Sequence, residues 1–585
     1  MYFNNLNNDD NNNQNEVLET LEETETLDEP ETLDTPYDEK QPNIEFNQIA
    51  NPTPKPKKKG HGGLIFLLLL IALLAGGYFF VLKGDINNLK SLFGQKETKT
   101  SEVQNNIKEE YKITSNKLTD FDLYFMQLEN KKENKVYSPL SIKYALEMLG
   151  EGAKENTKTQ IDAIIGDYVS KKYPNDEHMS FANALFIKES FKKNVNSNYK
   201  DILSKNYNAE LIYDDFKTPD TINKWVSEKT YNLIGELIDD VSDLDFALVN
   251  ALAIDMEWNK LIQAKTTDYN VTFPHEDFYE FISGIGLGGY PSMEFNGQKN
   301  RKAVEIGAVV NKYDIVKELG EENIRKTVIE EYHKWLQENA EQMEFDREHN
   351  PSDFADIYPD DDTMIENYMN ELKSNVGHIS SSTDFEFYVD DDIKVFAKDL
   401  KKYNGVTLQY IGIMPTKIDL DEYIKNIKAK DLNELISKIK TVELENFEDK
   451  YITLISGTLP LFNYEYELKL MDDLKELGIT EVFDKEKANL SGIVNGAYIN
   501  KASHKANIEF SNEGIKAAAA TIFGGGGSTN GGFDYVYKVP IKEIDLTFDK
   551  PFMYLIRDKD TGEVWFTGNV YEAKEMDEEY EGQIE

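Results

Sequence analysis

The sequence contains no cysteine among its 585 residues. This absence excludes disulfide bonds, cysteine-ligated zinc, iron–sulfur clusters and a thiol nucleophile. A chain of this length can still be stable outside the cell, because the share of surface buried on folding rises with chain length. The lack of cysteine therefore removes several kinds of site without deciding the compartment.

Positive charge is also scarce, since 64 lysines and arginines stand against 107 aspartates and glutamates, for a formal net charge of −43. A surface this acidic repels phosphate backbones, so we expect no nucleic-acid partner. Apolar residues are plentiful, at 40% of the chain, with 33 tyrosines and 31 phenylalanines. The chain can therefore build a large core, and wholesale disorder is excluded.

The N-terminal part of the chain does not have the pattern of a folded domain. Residues 1–61 are rich in Asn, Asp, Glu and Thr and predict a disordered acidic tail. Residues 62–82 carry no charge and, as a helix rising ~1.5 Å per residue, would span ~30 Å, the thickness of a hydrocarbon core. The alternative is a cleaved signal peptide, but those begin near the N-terminus and have shorter apolar runs. We expect a retained transmembrane helix, followed by a polar stalk at 83–110.

Flanking charge predicts the orientation of this helix. Lysines crowd its N-terminal side, whereas a single lysine stands just beyond its C-terminal end: Lys55, Lys57, Lys58 and Lys59 against Lys83. The positive flank stays in the cytoplasm. We therefore expect a single-pass, signal-anchor membrane protein with a cytoplasmic N-terminus, contact with the lipid bilayer through 62–82, and an extracellular domain.

From about residue 111 the pattern becomes that of a folded domain, placed at 111–573, with an acidic tail at 574–585. Apolar spacing predicts one helix around residues 121–128 and another around 142–149, whereas 452–462 alternates as a strand. Helix and strand signals mix without regular βαβ order, which indicates the α+β class.

A series of sequence blocks in this domain resembles the serpin family of protease inhibitors. The opening block is Val136-Tyr-Ser-Pro-Leu-Ser-Ile, and a later block is Glu513-Gly-Ile-Lys-Ala-Ala-Ala-Ala-Thr521. Further matching blocks fall in order at residues 145–153, 183–186, 248–254, 459–462, 504–506, 550–558 and 566–570. The resemblance implies a serpin fold, with three β-sheets, about nine helices and an exposed reactive-centre loop.

One stretch departs from the family pattern. Between Trp258 and the strand near Val395 the chain is longer than the family needs, so we expect an insertion within about residues 295–385. Within it, residues 323–345 carry apolar side chains at helical spacing and predict an inserted helical element.

The resemblance implies an inhibitor that acts as a suicide substrate. In this family a protease cuts the loop, and the cut loop enters the central sheet while the protease stays bound as a covalent acyl-enzyme. Gly514 is expected to supply backbone freedom at the hinge, and the small alanines that follow can pass between two strands. The implied hinge residues are Glu513, Gly514, Ile515, Lys516, Ala517, Ala518, Ala519, Ala520 and Thr521.

By the same resemblance, a polar latch (the shutter of the family) lies beneath the sheet. Its hydroxyls, amide and imidazole can satisfy one another in two discrete arrangements: Ser138, Ser141, Asn250 and His504. A catalytic serine–histidine pair is rejected, because the chain shows no nucleophile-elbow motif. We expect no enzyme, no catalytic residue, no cofactor and no metal site.

The position of the cleaved bond is left between two choices. Counting forward from Gly514 at the family spacing gives Ser528 and Thr529, whereas Tyr537 and Lys538 offer better handles for recognition. Cleavage at the second place would leave ~33 Å more chain between hinge and protease, at ~3.3 Å per strand residue. Trapping therefore favours Ser528–Thr529, with Tyr537–Lys538 as the alternative.

Two functions stay open. The first is inhibition of a target serine protease, with cysteine proteases as further targets, by a monomer. The second is a non-inhibitory binding or interaction module of the same fold at the cell surface. The glycine run 524–527 favours the second, because each glycine loses roughly 0.5–1 kcal/mol more than alanine on becoming a strand.

Overall fold

The computed structural model of the protein describes residues 107–128, 131–262, 290–374, 376–502, 504–515, 533, 535, 537 and 539–576. The predicted tail at 1–61, the apolar run at 62–82 and the stalk as far as residue 106 lie outside these residues. Within them, no helix is both long and apolar enough to cross a lipid bilayer.

The folded part extends beyond the predicted limits of 111 and 573. At its N-terminal end Ile107 packs against the core, and the backbone N–H of Lys108 donates to the carbonyl of Leu477 at 3.0 Å. At its C-terminal end the N–H of Lys574 donates to the carbonyl of Leu461 at 2.8 Å. The last residues of the predicted stalk and the first of the predicted acidic tail therefore belong to the domain.

Thirteen α-helices form in the described residues, against about nine implied by the resemblance. They are α1 (Asp120–Leu128), α2 (Pro139–Gly152), α3 (Glu155–Ile165), α4 (Ser197–Tyr207), α5 (Asp220–Lys229), α6 (Ile315–Leu319), α7 (Glu321–Glu338), α8 (Ala340–His349), α9 (Phe354–Ile357), α10 (Asp361–Ser374), α11 (Leu420–Asn426), α12 (Ala429–Ile436) and α13 (Leu470–Leu477). Helices α1 and α2 cover the two helices predicted from apolar spacing. Short 3-10 turns accompany them at Glu109–Tyr111, Glu189–Phe191, Leu444–Asn446 and Glu481–Phe483.

The strands of the described residues alternate with these helices in mixed order, as expected for the α+β class. They are β1 (Lys135–Tyr137), β2 (Met179–Lys188), β3 (Glu210–Asp214), β4 (Phe246–Ile254), β5 (Met256–Glu257), β6 (Ser292–Phe295), β7 (Gln298–Asn311), β8 (His378–Ser381), β9 (Glu386–Val389), β10 (Ile393–Asp399), β11 (Leu408–Pro415), β12 (Lys440–Thr441), β13 (Ile452–Pro460), β14 (Phe462–Leu468), β15 (His504–Phe510), β16 (Gly514–Ile515), β17 (Ile541–Asp545), β18 (Phe552–Asp558) and β19 (Val564–Val570).

In the described residues these strands form four sheets, where the resemblance implied three. One sheet has the order β1-β19-β18-β11-β10-β9-β12, and a second has the order β17-β13-β7-β6, with β8 paired to β7. The other two, β14-β15-β16-β5 and β3-β2-β4, border a common groove. They would form one sheet if β4 and β15 were hydrogen-bonded, so the extra sheet results from the gap between these strands.

Helix α2 lies beneath that gap, and the local sequence determines where it begins. The hydroxyl of Ser138 accepts from the N–H of Ser141 at 3.1 Å and so caps the helix. Pro139 takes the first helical position, where no N–H is needed. The face toward the groove is apolar, as the spacing predicted, and carries Ile142, Leu146 and Leu149.

Helices α6 to α10, named here the helical cluster, form a small core of their own between β7 and β8. Its buried members are Ile315, Ile324, Val328, Tyr332, Met364, Ile365, Met369 and Leu372. The helical element predicted at 323–345 is two helices, because α7 ends where the Asn339 side chain donates to the Trp335 carbonyl at 2.8 Å. Five of the thirteen helices of the described residues belong to this cluster.

Candidate functional site

An open slot separates β4 from β15. Within the described residues β4 pairs only with β2, whereas β15 pairs with β14 and, at the end near Phe510, with β16. Part of the slot opens into a groove with Asn250 and Ala251 on one side, His504 on the other and α2 as its floor. One edge of each bordering strand thus faces the slot, and the gap is suited to one further strand.

The upper end of the slot, near Phe510, is already occupied by β16. Ile515 is paired on one side with Phe510 and on the other with Met256, and Gly514 is paired with Glu257. Ile515 is only 2% exposed. The first two residues after the hinge glutamate therefore form an interior strand, antiparallel to both neighbours.

Gly514 is required here by close packing. A Cβ atom added at this position would lie 2.2 Å from the carbonyl oxygen of Met256 and 2.7 Å from the Cα of Glu257. Both distances are far below van der Waals contact, and the obstructing atoms are backbone. Besides the backbone freedom expected at the hinge, the glycine thus lets two strands approach each other closely.

Ser511 and Trp258 hold the turn that leads into β16, and sequence reasoning assigned neither to the hinge. The Ser511 hydroxyl accepts from the N–H of Gly514 at 3.2 Å, and the Ser511 carbonyl accepts from the indole N–H of Trp258 at 3.0 Å. The backbone N–H of Trp258 also donates to the Glu513 carbonyl at 2.8 Å. The available signal was a serine three residues before the hinge glycine, in a position typical of a turn.

Three of the four predicted latch residues meet at the floor of the slot. His504 Nε2 accepts from the backbone N–H of Ser138 at 2.9 Å, and the Ser138 hydroxyl accepts from the N–H of Ser141. Burial lowers the pKa of His504 to about 4, so its imidazole is neutral near pH 7. The contact joins the imidazole to a peptide N–H and not to a hydroxyl, so it does not activate a nucleophile.

Asn250 lies across the slot from these three residues and has a different partner. Its side-chain amide donates to the side-chain oxygen of Asn183 at 2.5 Å, and Asn183 in turn donates to the Tyr207 carbonyl at 3.1 Å. The predicted latch is therefore two separate networks, one on each wall. Asn183 was missed as a site residue because its pairing with Asn250 depends on the register of β2 against β4.

The remaining predicted site residues belong to the loop. Residues 516–521, the bond between Ser528 and Thr529, and Lys538 lie outside the described residues. Tyr537 is described: it is half-buried against the helical cluster, and its hydroxyl donates to the Ile324 carbonyl at 3.4 Å.

Comparison with known proteins gives the same family at the level of sequence and of fold. The family model for serpins (serine protease inhibitors) matches residues 114–277 and 355–573. Human neuroserpin is 24% identical over 483 residues, which cover 77% of this chain and 89% of the relative. Human Serpin B4 is 25% identical over 455 residues, covering 77% and 96%.

A solved structure shows the same architecture. The thyroxine-binding globulin complex with thyroxine superposes with a TM-score of 0.50 at 17% sequence identity, covering 79% of this chain and 98% of that chain. The expectation that the chain is not an enzyme is confirmed by the family, which is described as one of serine protease inhibitors. With more than half of its residues matched by the family model, the chain belongs to the serpin family.

Proposed function

We propose that this protein inhibits a serine-type endopeptidase as a suicide substrate, by adding its cleaved loop to the slot between β4 and β15. The observation that carries the proposal is the slot itself, open along β4 and already entered at one end by Gly514 and Ile515. A strand that has begun in this position can lengthen only by drawing in the residues that follow it.

The register of β16 supports this because its continuation would bring suitable residues into the slot. Continued one residue at a time from the pairs of Ile515 with Met256 and Phe510, it would put Ala517 between Ile254 and Ile508. It would also put Ala519 between Leu252 and Ala506, on the same face. Two small side chains would then lie beside buried apolar neighbours, which is the arrangement an interior strand requires.

The chemical step is an acyl transfer to the protease serine that stops at the acyl-enzyme ester. The protease serine Oγ would attack the Ser528 carbonyl carbon and lose its proton to the protease's own base. The peptide bond to Thr529 breaks, and the new amine of Thr529 leaves with that proton. The resulting ester holds the protease on residue 528 while residues 516 onward enter the slot, and displacement of the protease's catalytic groups prevents water from completing hydrolysis.

A panel of serine proteases, extended to cysteine proteases, tests this with the full-length protein. We expect at least one protease to form an adduct that resists boiling in SDS, and mass analysis of the released peptide to begin at Thr529. Cleavage by every susceptible protease without an adduct would remove the inhibitor proposal. That outcome would instead support the non-inhibitory binding module, which the glycine run at 524–527 favours.

The proposal includes attachment of the serpin domain to a membrane. We infer that residues 62–82 form one transmembrane helix, with 1–61 in the cytoplasm and the serpin domain outside as a monomer. The charge-free run and its lysine-rich N-terminal flank support this. Protease treatment of intact cells should remove the domain and leave an N-terminal tag protected; loss of the tag would contradict the orientation.

We also infer that the insertion expected within about residues 295–385 lies mainly in the stretch left unmatched between the two parts of the family model, residues 278–354. Helices α6, α7 and α8 fall entirely within it.

A further inference from the structure

The residues at the C-terminal end of the loop pack against the helical cluster. Phe533, Tyr535, Tyr537 and Val539, here named the loop flank, are all partly buried against its core. These four are all the residues of 533–539 that the structure describes. Each of them therefore packs against this one surface.

Phe533 makes the first of these contacts. Its ring centroid lies 5.0 Å from that of Tyr332 and 5.9 Å from that of Trp335, both rings of α7, with interplanar angles of 65° and 62°. These are the tilted, edge-on geometries that aromatic pairs favour. Tyr332 is fully buried, so the partner surface is rigid.

Hydrogen bonds fix the next residues of the loop flank. The hydroxyl of Tyr368, on α10, donates to the backbone carbonyl of Tyr535 at 2.6 Å. The hydroxyl of Tyr537 donates to the carbonyl of Ile324 on α7 at 3.4 Å, and the rings of Tyr535 and Tyr537 pack edge to face at 5.1 Å. Both a backbone group and the side chains of the flank are thus engaged.

Val539 continues this attachment into the neighbouring sheet. It packs with Val309, Ile452 and Leu454, and the chain enters β17 two residues later. The loop flank is therefore held from its first residue to the strand that follows it.

We propose that the helical cluster is a clamp that withholds the peptide bonds from Phe533 to Val539 from proteases and confines cleavage to the N-terminal side of Phe533. The clamp would determine which bond the target protease cleaves, and this part of the inference rests on the proposed function. A protease binds its substrate as an extended chain with the side chains in its own pockets. A chain whose side chains are engaged must first detach, so cleavage there follows the population of the detached state.

The clamp acts against one of the two bonds that the sequence left open. Cleavage between Tyr537 and Lys538 requires release of the Tyr537 ring and hydroxyl from α7. The helical cluster thereby acts as a specificity-determining element for the target protease.

A lysine-specific endopeptidase tests the clamp on the full-length protein, because Lys538 lies inside the loop flank. The double variant Trp335→Ala/Tyr368→Phe removes the ring contact to Phe533 and the hydrogen bond to Tyr535, together with the contacts of Trp335 to Tyr332 and Tyr358 inside the cluster. We expect cleavage after Lys538, followed by mass analysis of early products, to be at least about tenfold faster than in wild type. A second variant, Phe533→Ala, leaves every helix unchanged in sequence and should show the same direction.

The matched control is Phe345→Ala, an aromatic residue of α8 that is 52% exposed and stacks on His349. Its cleavage rate after Lys538 should equal that of wild type, and circular dichroism should show all variants equally helical. Equal rates after Lys538 in wild type, Phe533→Ala and the double variant would overturn the clamp.

The result is independent of whether the protein inhibits anything. Protection of Lys538 together with cleavage that yields no adduct would leave the clamp standing and remove the inhibitor proposal. An adduct formed at Lys538 in wild type would keep inhibition and overturn the clamp.

Discussion

The two ends of the loop are held in different ways. The N-terminal end, Gly514 and Ile515, is held by backbone pairing with β15 and β5. The C-terminal end is held by aromatic side chains against helices. Backbone pairing accepts any residue that fits the strand and can continue along the slot, whereas side-chain packing stops where the aromatic residues stop. The N-terminal end can therefore be extended as a strand, whereas the C-terminal end stays attached to the helices.

The largest effect is expected from a charged residue placed where β16 should lengthen, because this tests whether the N-terminal end of the loop enters the slot. The register puts Ala519 between Leu252 and Ala506 in the inserted state, so Ala519→Glu would bury an unpaired carboxylate at a cost of several kcal/mol. We expect the variant to be cleaved at the wild-type rate while the yield of SDS-resistant adduct falls at least about tenfold.

Asn530→Glu is the matched control for this substitution. It adds the same charge to the same loop on the far side of the proposed bond, where the residue never enters the slot. Its adduct yield should stay near wild type. Retention of the adduct by Ala519→Glu would mean that the register, and with it the growth of β16, is wrong.

The second prediction concerns His504, on the wall of the slot, and the free energy of unfolding, which should change with pH by about 3 kcal/mol. Burial lowers the pKa of His504 from 6.5 to about 4. The unfolded chain takes up this proton below pH 6.5, but the folded chain does so only near pH 4. The stability is therefore fully present above pH 6.5 and is lost as the pH falls through that window, by about 3 kcal/mol in all.

His504→Asn keeps an acceptor for the Ser138 N–H but cannot titrate. Urea titrations should show the free energy of unfolding falling between pH 7 and pH 4 by about 3 kcal/mol more in wild type than in this variant. Identical slopes for the two proteins would contradict the role of His504.

The smallest effect is expected at the C-terminal end of the loop, where Tyr537 contacts α7. Tyr537→Phe removes one long hydrogen bond to Ile324, worth about 0.5 kcal/mol, so cleavage after Lys538 should rise about twofold. The adduct yield should not change. Tyr388→Phe, which loses a bond to the exposed Asp390, is the control and should change neither quantity. A loss of adduct in Tyr537→Phe would show that the two ends are coupled.

Local patterns predicted part of this structure. Helix α2 was predicted from its apolar spacing around 142–149, whereas its Ser138 cap and Pro139 start are seen in the structure. The family resemblance located the hinge at residues 513–521, but it did not predict that Gly514 and Ile515 form a strand in the uncut chain. What depended on register or on distant partners could not be predicted, because sequence does not record which strands face each other. The pairing of Asn183 with Asn250 is of this kind.

The loop flank is a second case. Its alternating aromatic residues suggested handles for a protease, because nothing in residues 533–539 reveals a helix surface that covers them. The close approach at Gly514 is a third, since it depends on where Met256 lies. In each case the residue stood out in the sequence, but the sequence did not show which neighbour defines its role.

The attachment of the loop flank also separates the two products of the proposed cut. The flank is packed on the helical cluster and leads into β17, which pairs with β13. After a cut at residue 528 the flank would stay with β17, whereas the piece that begins at Gly514 would no longer share a covalent path with it. Only that piece would then be released to lengthen β16.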